Sequence, residues 1–199
     1  MRLPEIADLC IYFTENPIYE LSLVSKYWNE NVKKIRITSN KSYPGMKDEH
    51  LSQLPNLTEL DLSTSYKKSM QRMLQSFHRS GFRKDNITDQ GIADLINLKT
   101  LNLSSNHSIT NQGISKLTNL TSLDVSYNHS ITEQGISGLT NLTSLDFCFN
   151  YGILINEMSH LTNLRTINLN FYSSKSEHIQ NLFPKCKVTF NNSEYFPLQ

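Results

Sequence analysis

Histidine and cysteine are the side chains of this 199-residue chain whose spacing comes nearest to a metal site or a nucleophile. His107 and His129 recur in the phrase N-H-S-I-T, so their imidazoles should stack at one margin of the fold. Two imidazoles at such a distance could hold a metal ion. Tyr151 breaks this column, however, and no third ligand is evident. We therefore interpret the pair as repeated loop polarity and predict no metal site.

The sequence contains no motif of a common catalytic site. A glycine-rich phosphate loop, a G-x-S-x-G elbow and an H-E-x-x-H helix are all missing. The cysteines Cys10, Cys148 and Cys186 are odd in number and scattered without disulfide or metal spacing, and Cys148 has no positional partner that would mark a nucleophile. We predict a non-enzymatic chain without cofactor, in a reducing intracellular compartment such as the cytoplasm. A net charge of +1 gives no general attraction to nucleic acid or to an acidic membrane.

A unit of 22 residues, written four times in a row, must position any site on this chain. Each copy contains the pattern L-x-x-L-x-L-x-x-N or a close variant of it. This pattern resembles the leucine-rich repeat, in which a short strand and a short helical turn form one coil. The resemblance implies that the coils stack around one continuous core and form a binding surface. The copies begin at Ile87, Ile109, Ile131 and Ile153.

The apolar positions of the repeat predict which side of each coil is buried. Leu123 and Val125 lie two residues apart, so on a strand both point inward. Asn106, Asn128 and Asn150 fall at the bend after each strand, where a buried amide can satisfy backbone groups of neighbouring coils. We assign these asparagines a structural role. Leu117, Leu120 and Ile114 complete the inward set, and Thr110 and Thr132 are placed to cap short helices.

The same phrase extends beyond the clear copies. Residues 51–63 repeat it, Ile35 and Ile37 mark an earlier strand, and Val188 and Phe190 mark a last strand after a short helix. We predict an α/β solenoid with seven parallel strands in a curved sheet and short helices on its convex side. Residues 1–32 form a separate helical module and 33–199 the solenoid, with a basic insert at 64–86 and a C-terminal cap at 175–199.

The N-terminal module resembles an F-box. L-P-E-I near the start and V-S-K-Y-W-N at 24–29 carry the resemblance. It implies a small helical motif that docks onto the Skp-type adaptor of a cullin-containing ubiquitin ligase, and the whole chain then resembles F-box/leucine-rich-repeat proteins of protists or amoeba-infecting giant viruses. The alternative is a purely structural helical cap on the open end of the sheet. Residues carried over to adaptor binding are Leu3, Pro4, Ile6, Leu21, Val24 and Trp28.

The concave face of the sheet is the predicted target-binding surface. Residues that alternate with the buried pair point to this side, and they are small, polar and mildly acidic. Asp124 and Asp146 should be neighbours, which suits either a solvated surface or a seat for a partner's lysine or arginine. A column of Ser63, Ser104, Ser126, Cys148 and Asn170 should flank them, and Tyr127, Phe149 and Phe171 should form an aromatic margin. The predicted target-binding residues are Glu59, Asp61, Asn102, Asp124, Asp146 and Asn168.

The insert at 64–86 interrupts the repeat with six lysines and arginines before its first carboxylate, Asp85. Met70, Met73, Leu74 and Phe77 recur at helical spacing, so a basic amphipathic helix is predicted. It either packs firmly on the solenoid or lies as a weakly held flap near the acidic concave face, where it would gate target binding.

Overall fold

Seven short strands form one parallel sheet in the computed structural model, which describes residues 34–36, 47–52, 54–64, 87–170 and 181–191. The strands follow one another across the sheet in sequence order, and each is parallel to its neighbour. This confirms the predicted number and direction of strands. They are β1 Lys34–Arg36, β2 Glu59–Asp61, β3 Thr100–Asn102, β4 Ser122–Asp124, β5 Ser144–Asp146, β6 Thr166–Asn170 and β7 Lys187–Asn191.

A short helical turn is described between each pair of successive strands from β1 to β6. The helices are α1 Asp48–Leu51, α2 Asp89–Ile92, α3 Asn111–Ile114 and α4 Glu133–Ile136, followed by a 3-10 helix at Ile155–Met158. Thr110 and Thr132 are the N-caps of α3 and α4, as predicted, and Thr88 caps α2. Each threonine hydroxyl accepts a hydrogen bond of 3.3 Å from the backbone N–H two residues later. This bond satisfies one of the amides that a helix start leaves unpaired.

The core runs along the inside of the coils. In β2 to β5 the central leucine is buried and its two neighbours are half-buried, which is the alternation that a strand imposes. Leu117, Leu120 and Val125 are fully buried and Leu123 is 1% exposed, so the predicted inward set is confirmed. Because buried residues of successive coils form one cluster, each coil completes the core of the next.

Buried asparagines join the coils at the bend after each strand. The amide nitrogen of Asn128 donates to the carbonyl oxygens of Leu103 and Asn106 in the preceding coil. Its side-chain oxygen accepts from the N–H groups of Ser130 and Ile131, at 2.9 and 3.1 Å. Asn106 and Asn150 make equivalent bonds. The predicted structural role of these three residues is confirmed.

A second row of asparagines was not predicted. Each of them lies in a T-N-L or I-N-L phrase on the exposed side of its coil. Each donates its side-chain N–H to a carbonyl oxygen of the preceding coil over 2.7 to 2.9 Å. The row therefore joins neighbouring coils on the solvent side, as the buried row does inside. Its members are Asn97, Asn119, Asn141 and Asn163.

A third row connects the helix starts. The Asp89 carboxylate accepts from the N–H and the hydroxyl of Thr110 in the next coil, at 2.7 and 2.6 Å. Asp48 binds Thr88 in the same way, and Asn111 binds Thr132. The next coil has Leu154 where the threonine would be, and its 3-10 helix has no side-chain cap. Within the described residues, this row therefore stops after Thr132.

Glycine in the N-Q-G-I phrase makes room for this third row. A Cβ on Gly113 would lie 2.5 Å from the Asp89 Oδ1 atom, which Thr110 holds in place. A Cβ on Gly138 would meet nothing nearer than the Ser115 carbonyl oxygen at 3.6 Å. Glycine is thus required at position 113 because two coils approach each other closely there.

We predict that Gly113→Ala lowers the free energy of unfolding by about 1–3 kcal/mol, because Asp89 must move and its bonds to Thr110 weaken. The matched control Gly138→Ala should be neutral or slightly stabilising, since its methyl group has space and alanine restricts the unfolded chain. Urea denaturation of both variants measures the difference. Equal stabilities would contradict the assigned contact.

The remaining predictions of architecture concern residues largely outside the described part of the chain. The F-box-like module at 1–32 lies wholly outside it, as does the insert apart from Thr64. Of the C-terminal cap, residues 181–191 are described, and β7 contains the predicted Val188 and Phe190, both half-buried. No helix in the described ranges has the length and apolar character needed to cross a membrane.

Candidate functional site

The concave face presents polar columns in register across the sheet. Asp124 is paired in register with Asn102 on one side and with Asp146 on the other. Asp61 and Asn168 extend the same column, with Arg36 in register beyond Asp61. Glu59 lies in the adjacent column, in register between Lys34 and Thr100, and Ser122, Ser144 and Thr166 continue it. All six predicted target-binding residues therefore belong to one face, half-buried between strands whose central leucine or isoleucine points inward. These residues are Glu59, Asp61, Asn102, Asp124, Asp146 and Asn168.

The acidic column is held by its own backbone. The Oδ1 atom of Asp124 accepts from the N–H of Ser126 at 2.9 Å and from the Ser126 hydroxyl at 2.7 Å. Asp61 and Asp146 accept from the N–H two residues later at 3.0 Å, and Asn102 does so at 2.9 Å. Short polar side chains commonly close a turn in this way. The carboxylates therefore stand in fixed orientations at the ends of the strands.

A second set of contacts connects the column across the sheet. The hydroxyl oxygens of Ser126 and Ser104 lie 2.9 Å apart, within hydrogen-bonding distance. On the other side, the Asn168 amide donates to the Oδ2 atom of Asp146 at 2.7 Å, and the Thr189 hydroxyl donates to Asn168 at 3.2 Å. Asp146 thus has a hydrogen-bond donor on each oxygen. The face is a connected polar surface, and a partner must align its donors with it.

Burial raises the pKa of the Asp124 carboxyl above its ordinary value of 3.8. The two bonds from Ser126 act in the opposite direction, and the nearby charges of Asp146 and Asp61 raise the pKa further. The folded chain therefore binds a proton at Asp124 more tightly than the unfolded chain does. Ionised Asp124 consequently destabilises the folded state at neutral pH.

We predict that Asp124→Asn raises the free energy of unfolding at neutral pH by roughly 0.2–1 kcal/mol, because it removes one of three like charges. An asparagine can keep the acceptor bond from the N–H two residues later, as Asn102 does with Ser104. The gain should shrink as the pH falls through the raised pKa and vanish below 3.8, where the wild-type carboxyl is protonated in both states. Thermal unfolding across this pH range tests the prediction, with the exposed Asp94→Asn as a control. A gain that persists in acid would contradict it.

Two of the four members of the predicted third column whose side chains are described are buried, and the other two, Ser63 and Ser104, are half-buried. Cys148 is 1% exposed and Ser126 8% exposed, so neither offers a surface to a partner. The buried Ser126 hydroxyl bonds to the Asp124 carboxylate of the neighbouring column instead. Tyr127 and Phe149, which directly follow the two buried residues, have a left-handed backbone with φ of 56°. The prediction that this column belongs to the open concave surface was wrong for Ser126 and Cys148.

Aromatic rings stack along the margin where the strands end. The rings of Tyr127 and Phe149 have centroids 4.5 Å apart, which confirms this part of the predicted aromatic margin. Phe171 lies outside the described residues. His107 and His129 stack at 5.8 Å, as predicted. Tyr151 does not break their column, because its ring lies parallel to His129 at 5.7 Å.

The described residues contain no group of three or more histidine, cysteine, aspartate or glutamate side chains that could hold a metal ion. The site presents hydrogen-bonded carboxylates, amides and hydroxyl groups in register on a parallel sheet. Such an arrangement is suited to binding. The predicted adaptor-binding residues, Leu3 to Trp28, lie outside the described part of the chain.

One segment of the chain combines stacked coils, an inward leucine pattern and a buried asparagine at each bend. A known family matches the same segment. The sequence model described as Leucine Rich repeat matches residues 94–117 and 116–139. These coils are leucine-rich repeats. No curated protein matches the whole sequence significantly.

Solved leucine-rich-repeat structures share the fold at low sequence identity. Internalin C2 of Listeria monocytogenes superposes with a TM-score of 0.52 and 21% identity, covering 80% of this chain and 71% of its own. Internalin F of the same organism gives 0.51 and 17%, covering 80% of this chain, which spans 47% of the internalin. A chain of the Drosophila Toll–Spätzle complex gives 0.50 and 17%, with 79% of this chain and 23% of that chain covered. At these identities the likeness concerns the fold alone.

Proposed function

We propose that this chain is a non-catalytic receptor whose leucine-rich repeats hold a target protein on the concave face. One observation carries the proposal. Asp61, Asp124 and Asp146 stand in one column with orientations fixed by backbone N–H groups. A surface that is ordered before binding loses little conformational freedom when a partner arrives.

The charge of the column indicates the chemistry of the target. Burial destabilises the ionised form of Asp124, and so do the negative charges of Asp146 and Asp61. A lysine or arginine side chain placed over Asp124 would relieve that repulsion and restore hydrogen bonds lost from water. We therefore propose that the concave face takes a basic segment of the target, and that Asp124 and Asp146 receive its cation.

We further propose that the chain is the substrate receptor of a Skp–cullin–F-box ubiquitin ligase, acting inside the cell. The support is the sequence of the N-terminal module, where Leu3 and Pro4 precede an apolar stripe that includes Val24 and Trp28. In this proposal, residues 1–32 hold the adaptor while the solenoid holds the target. The alternative is a leucine-rich-repeat scaffold whose N-terminal helices only cap the stack.

Co-purification from a eukaryotic lysate tests the ligase proposal. The wild-type chain should bring down a Skp-type adaptor and a cullin. The double variant Val24→Asp with Trp28→Ala should lose both, because a charge replaces one apolar contact and the largest ring of the stripe is removed.

The concave double variant Asp124→Asn with Asp146→Asn is the matched control. It should keep the adaptor and the cullin while losing the target, since the two functions are assigned to separate parts of the chain. If the adaptor never co-purifies with wild type, the ligase proposal fails and the scaffold alternative remains. If the target is retained by the concave variant, the assignment of the concave face is wrong.

A further inference from the structure

Two of the most exposed apolar side chains of the described residues lie in one bend. Tyr151 is 65% exposed and Leu154 57%, three residues apart, whereas Ile96 at 55% stands alone on an earlier coil. Single exposed apolar residues are ordinary on a protein surface, but a group of them marks an interaction site. The bend at 151–154 is therefore unusual within this array.

Leu154 occupies a position that threonine holds in three earlier coils. Thr88, Thr110 and Thr132 cap their helices and bind the preceding coil. Leu154 is the N-cap residue of the 3-10 helix and makes no capping bond with its side chain. Leu154 therefore provides neither the helix cap nor the contact between coils that threonine provides in the earlier coils. It also exposes an apolar side chain. A residue that breaks the local rule without a structural gain points to function.

Tyr151 is the second departure from the repeat in this bend. Its ring continues the column of His107 and His129, parallel to His129 within 5°. A tyrosine at this position presents more apolar surface than the histidines do. The stack holds the ring in one orientation, so little freedom is lost when a partner packs against it. Aromatic residues with this property are frequent anchors in interfaces.

The sequence on both sides of the bend contains acidic residues but no lysine or arginine. From Leu117 to Leu164 the sequence has four carboxylates and no lysine or arginine, in a chain whose net charge is +1. Glu157 follows Leu154 by three residues in the 3-10 helix. Glu133 has the position from which Asp89 and Asn111 reach the next coil, and the residue reached from there is Leu154 by the same spacing. By this spacing, Glu133 corresponds to the residues that reach position 154, and Glu157 follows Leu154 on its other side in the sequence.

We propose that this bend surface, formed by Tyr151 and Leu154 with Glu133 and Glu157, docks a protein segment in which lysine or arginine alternates with apolar side chains. The apolar groups would cover the tyrosine ring and the leucine, and the cations would pair with the glutamates. A phosphate-bearing partner, such as nucleic acid or an anionic membrane, is disfavoured because Glu133 and Glu157 repel it. This surface lies beyond the concave columns and adds a second contact to the proposed receptor.

Fluorescence anisotropy with the purified full chain and a short labelled peptide of alternating lysine and tryptophan tests the proposal. Leu154→Thr restores the residue type of the earlier coils, and Tyr151→His restores the ring of the earlier coils. Each variant should fold at least as well as wild type and bind the peptide roughly tenfold more weakly. Ile96→Thr is the matched control, because it removes an apolar side chain of similar exposure elsewhere and should leave binding unchanged. Thermal unfolding of each variant verifies that it is folded.

The peptide controls separate the two parts of the recognition. A lysine–serine peptide and a glutamate–tryptophan peptide should both bind roughly tenfold more weakly than the lysine–tryptophan peptide. Glu157→Gln should weaken binding of the lysine–tryptophan peptide and reduce its sensitivity to salt. If the wild-type chain does not bind this peptide, or if Ile96→Thr weakens binding as much as Leu154→Thr, the proposal is overturned. Binding that develops only after the cations of residues 65–86 are changed to glutamine would assign the surface to the chain's own insert and would also overturn it.

The result is independent of the ligase proposal. The peptide assay uses neither adaptor nor cullin, so a failed co-purification leaves the bend surface intact. Conversely, loss of peptide binding in Leu154→Thr with an intact Asp124 and Asp146 column would separate the bend surface from the concave face.

Discussion

Leu123→Ala is expected to lower the free energy of unfolding by about 2–5 kcal/mol. Leu123 is 1% exposed at the centre of β4, where it contributes to the core shared by neighbouring coils. Removing most of its side chain leaves a cavity that two adjacent coils border, and neither can collapse without moving its ladder of strand hydrogen bonds. Urea denaturation of the purified chain measures the loss.

Ser122→Ala is the control for this experiment. Ser122 precedes Leu123 in the same strand but points to the concave side and is half-buried. Its replacement should change the free energy of unfolding by less than about 0.5 kcal/mol. A similar loss in the two variants would mean that the inward and outward faces of β4 have been exchanged.

Asn128→Ala is expected to cost at least about 2 kcal/mol, although it removes far less apolar surface than Leu123→Ala. The side chain is fully buried and serves the carbonyl oxygens of Leu103 and Asn106 and the N–H groups of Ser130 and Ile131. Alanine would leave these backbone groups without their side-chain partner, in a place that water reaches poorly. The free energy of unfolding measures the effect.

Asn119→Ala provides the contrast. Asn119 makes one bond to a carbonyl oxygen, that of Ile96 at 2.8 Å, and its side chain is exposed. Water can replace the lost donor there, so the cost should stay below about 1 kcal/mol. If both asparagine variants lost the same stability, burial would not be the reason for the importance of Asn128.

The inward residues and the strand order could be predicted from the sequence because both follow from a strict period. Leu120, Leu123 and Asn128 recur with the spacing that a strand and a bend require, so their burial is implied by the pattern. The same holds for the cap at Thr110. The concave column was also predictable, since residues beside a buried strand position must face the other side.

The contacts between exposed side chains were not predictable in the same way. Asn119 repeats as regularly as Asn128, but an exposed amide can bond to water equally well, so spacing alone does not assign its partner. The bond from Asp89 to Thr110 depends on how close two helical turns approach, and this distance is set by Gly113 in three dimensions. Cys148 was placed on the open face because alternation along a strand does not show which outward side chains their neighbours cover, and it is 1% exposed.

All three rows of bonds between coils connect residues about one repeat apart, and this has a consequence for how such a gene can change. Asp89 reaches Thr110, Asn119 reaches Ile96, and Asn128 reaches Leu103. Deleting or copying residues 109–130 as a block would bring equivalent partners together again, with Asp89 meeting Thr132 in the shortened chain. A deletion whose length is not a multiple of 22 residues would break all three rows at its junction. Unequal recombination between repeats can therefore lengthen or shorten the array while the new junction folds, so that the extent of the binding surface is inherited in whole coils.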